Sequence, residues 1–182
     1  MFIKFHKIKM TNILENLKNK ETISILFICS GNIIRSVMAE FLFKKMIREQ
    51  TRNYDKFVVN SGAVLFKNSN LHEFTKEILI KEGFKKSLID TFKPTYLKNK
   101  ENFHLLVESD IIIVMEKSHL HLIPKNLRDK SFLLAELVNE NIILPDPFGT
   151  DINVYYEIYD KIKFLIQKFI NIMVYYGILL KK

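Results

Sequence analysis

The stretch Ile23-Ser24-Ile25-Leu26-Phe27-Ile28-Cys29-Ser30-Gly31-Asn32-Ile33-Ile34-Arg35-Ser36 decides how this chain folds. Its first seven residues are a near-continuous apolar run of strand length, the pattern of a parallel strand covered on both faces. Ser30, Gly31 and Asn32 then form a turn cluster. From Val37 the apolar residues Met38, Phe41, Leu42 and Met46 recur at helical spacing, with Lys44, Arg48 and Glu49 on the opposite side. A strand, a tight turn and a helix in that order begin a βα unit.

The rest of the chain repeats the alternation. Lys56–Asn60 reads as a second strand, Asp110–Met115 as a third and Ser131–Leu134 as a fourth. Asn70 and Glu73 have the spacing of a capping box, and Phe74, Ile78 and Leu79 continue as a helix that Gly83 ends. From Asp151 to about Leu180 the apolar residues again keep helical spacing. The expectation is therefore an α/β fold: a central four-stranded parallel sheet with helices on both faces and right-handed crossovers. Residues 1–22 precede the first strand and read as an N-terminal appendage, a loosely held helix carrying Ile13, Leu14 and Leu17. Residues 23–182 read as a single domain.

Composition narrows the function. The 182 residues carry 48% hydrophobic and 26% charged side chains, so the chain buries a core and is not disordered. A single Cys excludes an internal disulfide, a four-Cys zinc site and a thiol relay within the chain, and implies a reducing, cytoplasmic setting. The net charge is +8, but Arg occurs only at Arg35, Arg48, Arg52 and Arg128. The surplus is mostly Lys, spread in a way that indicates a solvated surface rather than a nucleic-acid site. Ile23–Cys29 is too short for a signal-peptide core, and no small-residue cleavage pattern follows it. The tail 164–180 is interrupted by Gln167, Lys168 and Asn171 and falls short of the ~20 apolar residues of a spanning helix, so no stable membrane insertion is expected.

Ligands of open α/β sheets bind beyond the carboxyl ends of the strands, where Cys29 lies. A short loop entering a helix turns successive backbone N–H groups inward and makes a cradle of anion size. The helix dipole and Arg35 favour negative charge there, both on a phosphate and on the Cys29 sulfur, and a thiolate is the competent nucleophile. The planar fork of Arg35 matches two phosphate oxygens. Ser36 is placed to donate a hydrogen bond to the thiolate. Gly31 and Asn32 are residue types that accept positive φ in a tight loop. Ser30, Gly31, Asn32, Ile33, Ile34 and Ser36 are thus the candidate phosphate-binding residues. Magnesium is not required, because Arg35 and the loop amides supply the positive field, and no cofactor is expected. The five histidines lack metal-ligand spacing, and His119 and His121 read as features of a solvated helix.

Residues 25–40, with Cys29, five intervening residues, then Arg35-Ser36 and Val37-Met38-Ala39-Glu40, resemble the signature loop of the low-molecular-weight protein tyrosine phosphatases. Further stretches resemble the family in order: Val59–Ala63, Glu108–Glu116, and the late Asp146-Pro147-Phe148-Gly149. The similarity spans about residues 23–176. It implies a cysteinyl-phosphate mechanism with Cys29 as nucleophile, Arg35 binding phosphate and Asp146 as general acid, then base, on a loop fixed by Pro147. It also implies that a monomer suffices.

Three positions depart from the family pattern. Ile34 stands where a second Cys is frequent. Leu88, after Gly83 and Ser87, stands where a supporting His is common, which predicts a weaker network behind Asn32 and Ser61. Val37 replaces the usual Pro. One branch with a similar D-P-F-G segment acts on phosphoarginine and carries Thr at the position of Ile33. An apolar Ile33, with Phe148 as a second wall, favours a tyrosine-phosphorylated protein substrate. Phosphoarginine and a non-catalytic phosphate-binding module stand as alternatives. Thioredoxin-coupled arsenate reductases on this loop need relay cysteines, which this chain lacks.

Overall fold

The computed structural model describes residues 2–182, with side chains from Lys9 onward. In chain order the elements are α1 (Phe2–Lys18), β1 (Ile23–Cys29), α2 (Arg35–Gln50), β2 (Phe57–Ala63), α3 (Glu73–Lys81), α4 (Lys86–Thr91), α5 (Phe103–Glu108), β3 (Ile111–Val114), α6 (Lys117–Leu122), β4 (Ser131–Leu133), α7 (Leu134–Leu137) and α8 (Ile152–Tyr175). The four strands form one parallel sheet in the order β2-β1-β3-β4. The α/β architecture follows the sequence reading.

Why the strands read as unbroken apolar runs is visible in the core. Along β1, Ile25, Phe27 and Cys29 face one apolar cluster, while Leu26 and Ile28 face a second. In β3, Ile111 and Ile113 divide in the same way from Ile112 and Val114. Successive strand residues point to opposite faces, so both faces are buried. The larger core lies under α2 and α8, with Phe43 between Phe27 and Phe169 at centroid distances of 5.9 and 5.8 Å. The smaller one gathers Leu106 of α5, Ile123 and Leu127.

Three boundaries differ from the sequence expectation. β2 runs on to Ala63, because pairing with β1 and the bridge from Ala63 to Tyr96 hold the polar and small residues that end its apolar pattern. A Cβ on Gly62 would lie 2.5 Å from the Leu97 side chain, so this strand passes its neighbour only without one. His72, not Asn70, caps α3: its Nδ1 accepts from the Phe74 N–H. The terminal helix stops at Tyr175. Gly177, at φ +69°, turns the chain, Ile178 and Leu179 return to the core, and Lys181 bridges Thr51.

α1 is docked rather than loose over its last turns, where Leu14 and Leu17 are buried in the larger core. The Lys9 ammonium donates to the carbonyl of Arg128 at 2.6 Å, and Lys20 pairs with Asp110 at 2.5 Å. These contacts adjoin the amino ends of β4 and β3, opposite the end of the sheet where Cys29 sits. No helix among the described residues is long and apolar enough to cross a membrane.

Candidate active site

The loop leaves β1 at Cys29 and enters α2 at Arg35. Its carbonyls are tied outward. Cys29 O accepts from Val64 N–H, Ser30 O from Leu65 and Phe66, Gly31 O from the Asn68 side chain, and Ile33 O from His72 N–H. The amides are left to the concave side, where the Asn32 N–H points at Cys29 Sγ at 3.3 Å. No side chain caps α2, whose N-cap residue is Ile34. Of the two residues expected to need positive φ, only Asn32 has it, at +52°. Gly31 serves a different purpose, since a Cβ there would meet Asn68 Nδ2 at 2.8 Å.

Behind the sulfur lies a buried polar relay. Asn32 Nδ2 donates to Ser36 Oγ at 3.0 Å and to Ser61 Oγ at 2.7 Å, and its Oδ1 accepts from Thr95 N–H at 2.8 Å. Its hydrogen-bonding capacity on Nδ2 is thereby used. Ser36 Oγ, already accepting from Asn32, keeps its own hydrogen for Cys29 Sγ, 3.0 Å away. Ser61 likewise donates to Glu40 Oε2 at 2.6 Å, and Lys44 pairs with Glu40. The weakened network predicted from Leu88 is not what forms. Leu88 is exposed, and Thr95, Ser61 and Glu40 satisfy Asn32 and its partners instead.

Arg35 is 1% exposed and carries an unusual load of acceptors. Its Nη2 donates to Asp146 Oδ2 at 2.6 Å and to Ser30 Oγ at 3.3 Å. Its Nη1 donates to Glu116 Oε2 at 2.9 Å and to the Leu144 carbonyl at 3.0 Å. The buried Nε has no partner among the described residues, so one donor of the fork stays open. Burial pushes the Glu116 carboxyl up, but hydrogen bonds from Ser118 and Arg35 and the Arg35 charge outweigh it and hold it below the usual range.

Cys29, Ser30, Gly31, Ile33, Ile34, Arg35, Asp146 and Phe148 line one cleft of about 420 Å³. The structure thus gathers these eight from two separated stretches. Asn32 and Ser36 are buried and lie behind the cleft rather than on its wall. The Asp146 carboxylate also accepts from Phe148 N–H at 3.2 Å, a local turn that Pro147 prearranges. Phe148 is 65% exposed at the mouth, edge-on to His72, which stacks on Tyr155 at 4.9 Å.

Sequence reasoning missed two parts of the site. The segment Phe66-Lys67-Asn68 also lines the cleft, and Phe66 is 62% exposed there. It has no periodicity or motif, so only its contact with the loop reveals it. His119 was expected on a solvated helix. It is fully buried, with Nε2 3.0 Å from Ser30 Oγ, whereas His121 is exposed. One buried position in a six-residue helix is too short a signal to read from sequence.

A parallel sheet that ends in a Cys–Arg anion loop, faced by an aspartate from a distant segment, defines a phosphate-ester hydrolase of the cysteine-nucleophile class. The sequence profile of the low molecular weight phosphotyrosine protein phosphatase family matches residues 24–174, and the chain belongs to that family. It is 30% identical over 148 residues to the low molecular weight protein-tyrosine-phosphatase PtpB of Staphylococcus epidermidis, covering 79% of this chain and 94% of that protein. It is 29% identical over 149 residues to the protein-arginine-phosphatase of Bacillus subtilis, covering 79% of this chain and 92% of that one. Among solved structures, a YwlE mutant from Bacillus subtilis superposes with a TM-score of 0.70 at 25% identity, covering 84% of this chain and 99% of the other.

Proposed function

We propose that this protein is a protein-tyrosine phosphatase working through a cysteinyl-phosphate on Cys29. The observation that carries the reading is that Cys29, Arg35 and Asp146 line one cleft, although 111 residues separate Arg35 from Asp146. In the first step the Cys29 thiolate attacks phosphorus. The bond from phosphorus to the tyrosyl oxygen breaks, and Asp146 delivers a proton to the departing phenolate. In the second step Asp146 takes a proton from water as its oxygen attacks the phosphocysteine, and phosphate leaves with the thiolate restored. Arg35 and the loop amides carry the charge that develops on the phosphoryl oxygens. The open Nε of Arg35 has a natural partner in such an oxygen.

Ile33, Phe66 and Phe148 give the cleft apolar walls that suit the flanks of an aromatic ring. Phosphoarginine is the second reading, supported by the similarity to the Bacillus protein-arginine-phosphatase. Residues 23–182 form the catalytic unit in this reading, with residues 1–22 an addition. Every group invoked comes from one chain, so a monomer is sufficient.

The test is single turnover of phosphotyrosine and phosphoarginine peptides by the wild type and Cys29→Ser, without added metal. Preference for phosphotyrosine, lost in Cys29→Ser, is the expected result. Preference for phosphoarginine keeps the mechanism and changes the substrate. Turnover that survives Cys29→Ser overturns both.

A further inference from the structure

His119 is fully buried beside the phosphate loop and has no place in the mechanism above. Its Nε2 lies 3.0 Å from Ser30 Oγ and 3.5 Å from Glu116 Oε1, while its Nδ1 has no partner among the described residues. Those contacts select a tautomer. A proton on Nδ1 would bury an N–H without an acceptor and turn the Nε2 lone pair toward a carboxylate. A proton on Nε2 supplies a donor to both Ser30 and Glu116, leaving only a bare ring nitrogen at Nδ1. Burial lowers the pKa of the ring to about 4, helped by Arg35 and opposed by Glu116 and Asp146, so the ring is neutral near pH 7.

The consequence falls on Ser30. Its Oγ already accepts from Arg35 Nη2 at 3.3 Å. With His119 as a second donor, the hydroxyl's own hydrogen is left to point into the cleft that Ser30 lines. Were Ser30 instead to donate to His119, that hydrogen would face away from the cleft.

We propose that His119 is a positioning residue of the phosphate site, which as the Nε2–H tautomer turns the Ser30 hydroxyl into a donor to the bound phosphoryl group. The same ring nitrogen, shared with Glu116, links this serine to the carboxylate that holds Arg35. The proposal rests on reading the loop as a phosphate site.

Nitrogen-15 NMR of histidine-labelled wild-type protein at pH 7 tests the tautomer, and inhibition by inorganic phosphate tests its effect. The expected spectrum shows His119 protonated at Nε2 and bare at Nδ1. His119→Leu is expected to raise KM for an aryl phosphate and the inhibition constant of phosphate about tenfold, with kcat within about threefold. His119→Gln, whose amide N–H reaches the same place, restores both to within about threefold of wild type. Ser30→Ala costs as much as His119→Leu, and the double variant no more than either alone. An Nδ1–H tautomer, or costs that multiply in the double variant, overturns the proposal. If His119→Leu does not fold, the tautomer and the Gln variant decide. A wild type that binds phosphate in the cleft but turns nothing over would remove the phosphatase reading. The same variants are then compared by the dissociation constant of inorganic phosphate from calorimetry, with the same loss of about tenfold expected and its absence overturning the proposal. A wild type that binds no phosphate would overturn both.

Discussion

The carboxylate of Asp146 rests 2.6 Å from Nη2 of Arg35, so the proposed general acid and the proposed phosphate-binding cation are paired across the cleft. A phosphate dianion entering the loop competes with Asp146 for that guanidinium. Release from Arg35 frees the carboxyl to reach the leaving oxygen.

Asp146→Ala therefore has two opposite effects. Loss of proton delivery should slow phosphotyrosine turnover about 100-fold, and slow an activated aryl phosphate much less. Removal of the competing carboxylate should tighten binding of inorganic phosphate. A series of aryl phosphates of graded leaving-group pKa, with phosphate inhibition measured alongside, checks both.

Cys29 has no sulfur partner, since it is the only cysteine. Ile34, where a second thiol would shield it, is buried beside the loop. Peroxide should carry Cys29 to sulfinic and sulfonic acids, and dithiothreitol should not restore the lost activity. Mass spectrometry of the peptide containing Cys29 reads the products. Bound phosphate should slow the loss.

Leu14 of α1 is buried in the larger core, so Leu14→Ala should cost about 2–5 kcal/mol of stability. Because Leu14 does not line the cleft, the kcat of the folded fraction should stay within about twofold of wild type. Denaturant melts paired with kinetics at low temperature separate the two.

Gly62→Ala places a Cβ 2.5 Å from the Leu97 side chain, two residues beyond the Thr95 N–H that holds Asn32. The clash should cost about 1–3 kcal/mol. Combining it with Leu97→Ala should recover part of that cost, a coupling that a double-mutant cycle measures directly.

Stability should fall at both ends of the pH scale. Burial keeps His119 neutral in the native state down to about pH 4, whereas the unfolded chain binds that proton near pH 6.5. Between those values the unfolded state holds more protons, so stability declines as pH falls from about 6.5 to about 4. Glu116, held below the usual carboxylate range, acts in the same direction at lower pH. At the alkaline end, burial raises Tyr155 to about 12 and raises Tyr159 further, with Glu82 beside the latter. The unfolded chain loses those protons near pH 10 while the native state keeps them, so stability declines above that pH. Urea midpoints across the range check both signs, and His119→Gln should flatten the acid limb.

The outlines of the fold were legible because burial on both faces of a parallel strand leaves an unbroken apolar run, as in Ile23–Cys29 and Ile111–Val114. Cys29 and Arg35 were legible because their chemistry demands particular side chains at the end of a strand and the start of a helix, whereas Asp146, in an irregular stretch, was legible only through the family resemblance. Boundaries set by contacts from elsewhere were not. The extension of β2 through Gly62 depends on Tyr96 and Leu97, and the end of α8 on a turn at Gly177.

Sequence alone put a thiol and an arginine six residues later at one helix start, and local spacing settles that pair, because a strand, a loop and a helix are adjacent in the chain. The aspartate before Pro147 came from the family resemblance, since nothing local ties it to the loop. Tertiary structure alone decided what surrounds them. It paired Arg35 with Asp146 and Glu116, placed Ser61 and Thr95 on Asn32 in the absence of a histidine at Leu88, and buried His119 against Ser30. Each of those contacts joins residues at least 29 positions apart, and only the pairing of strands in the order β2-β1-β3-β4 brings them within reach.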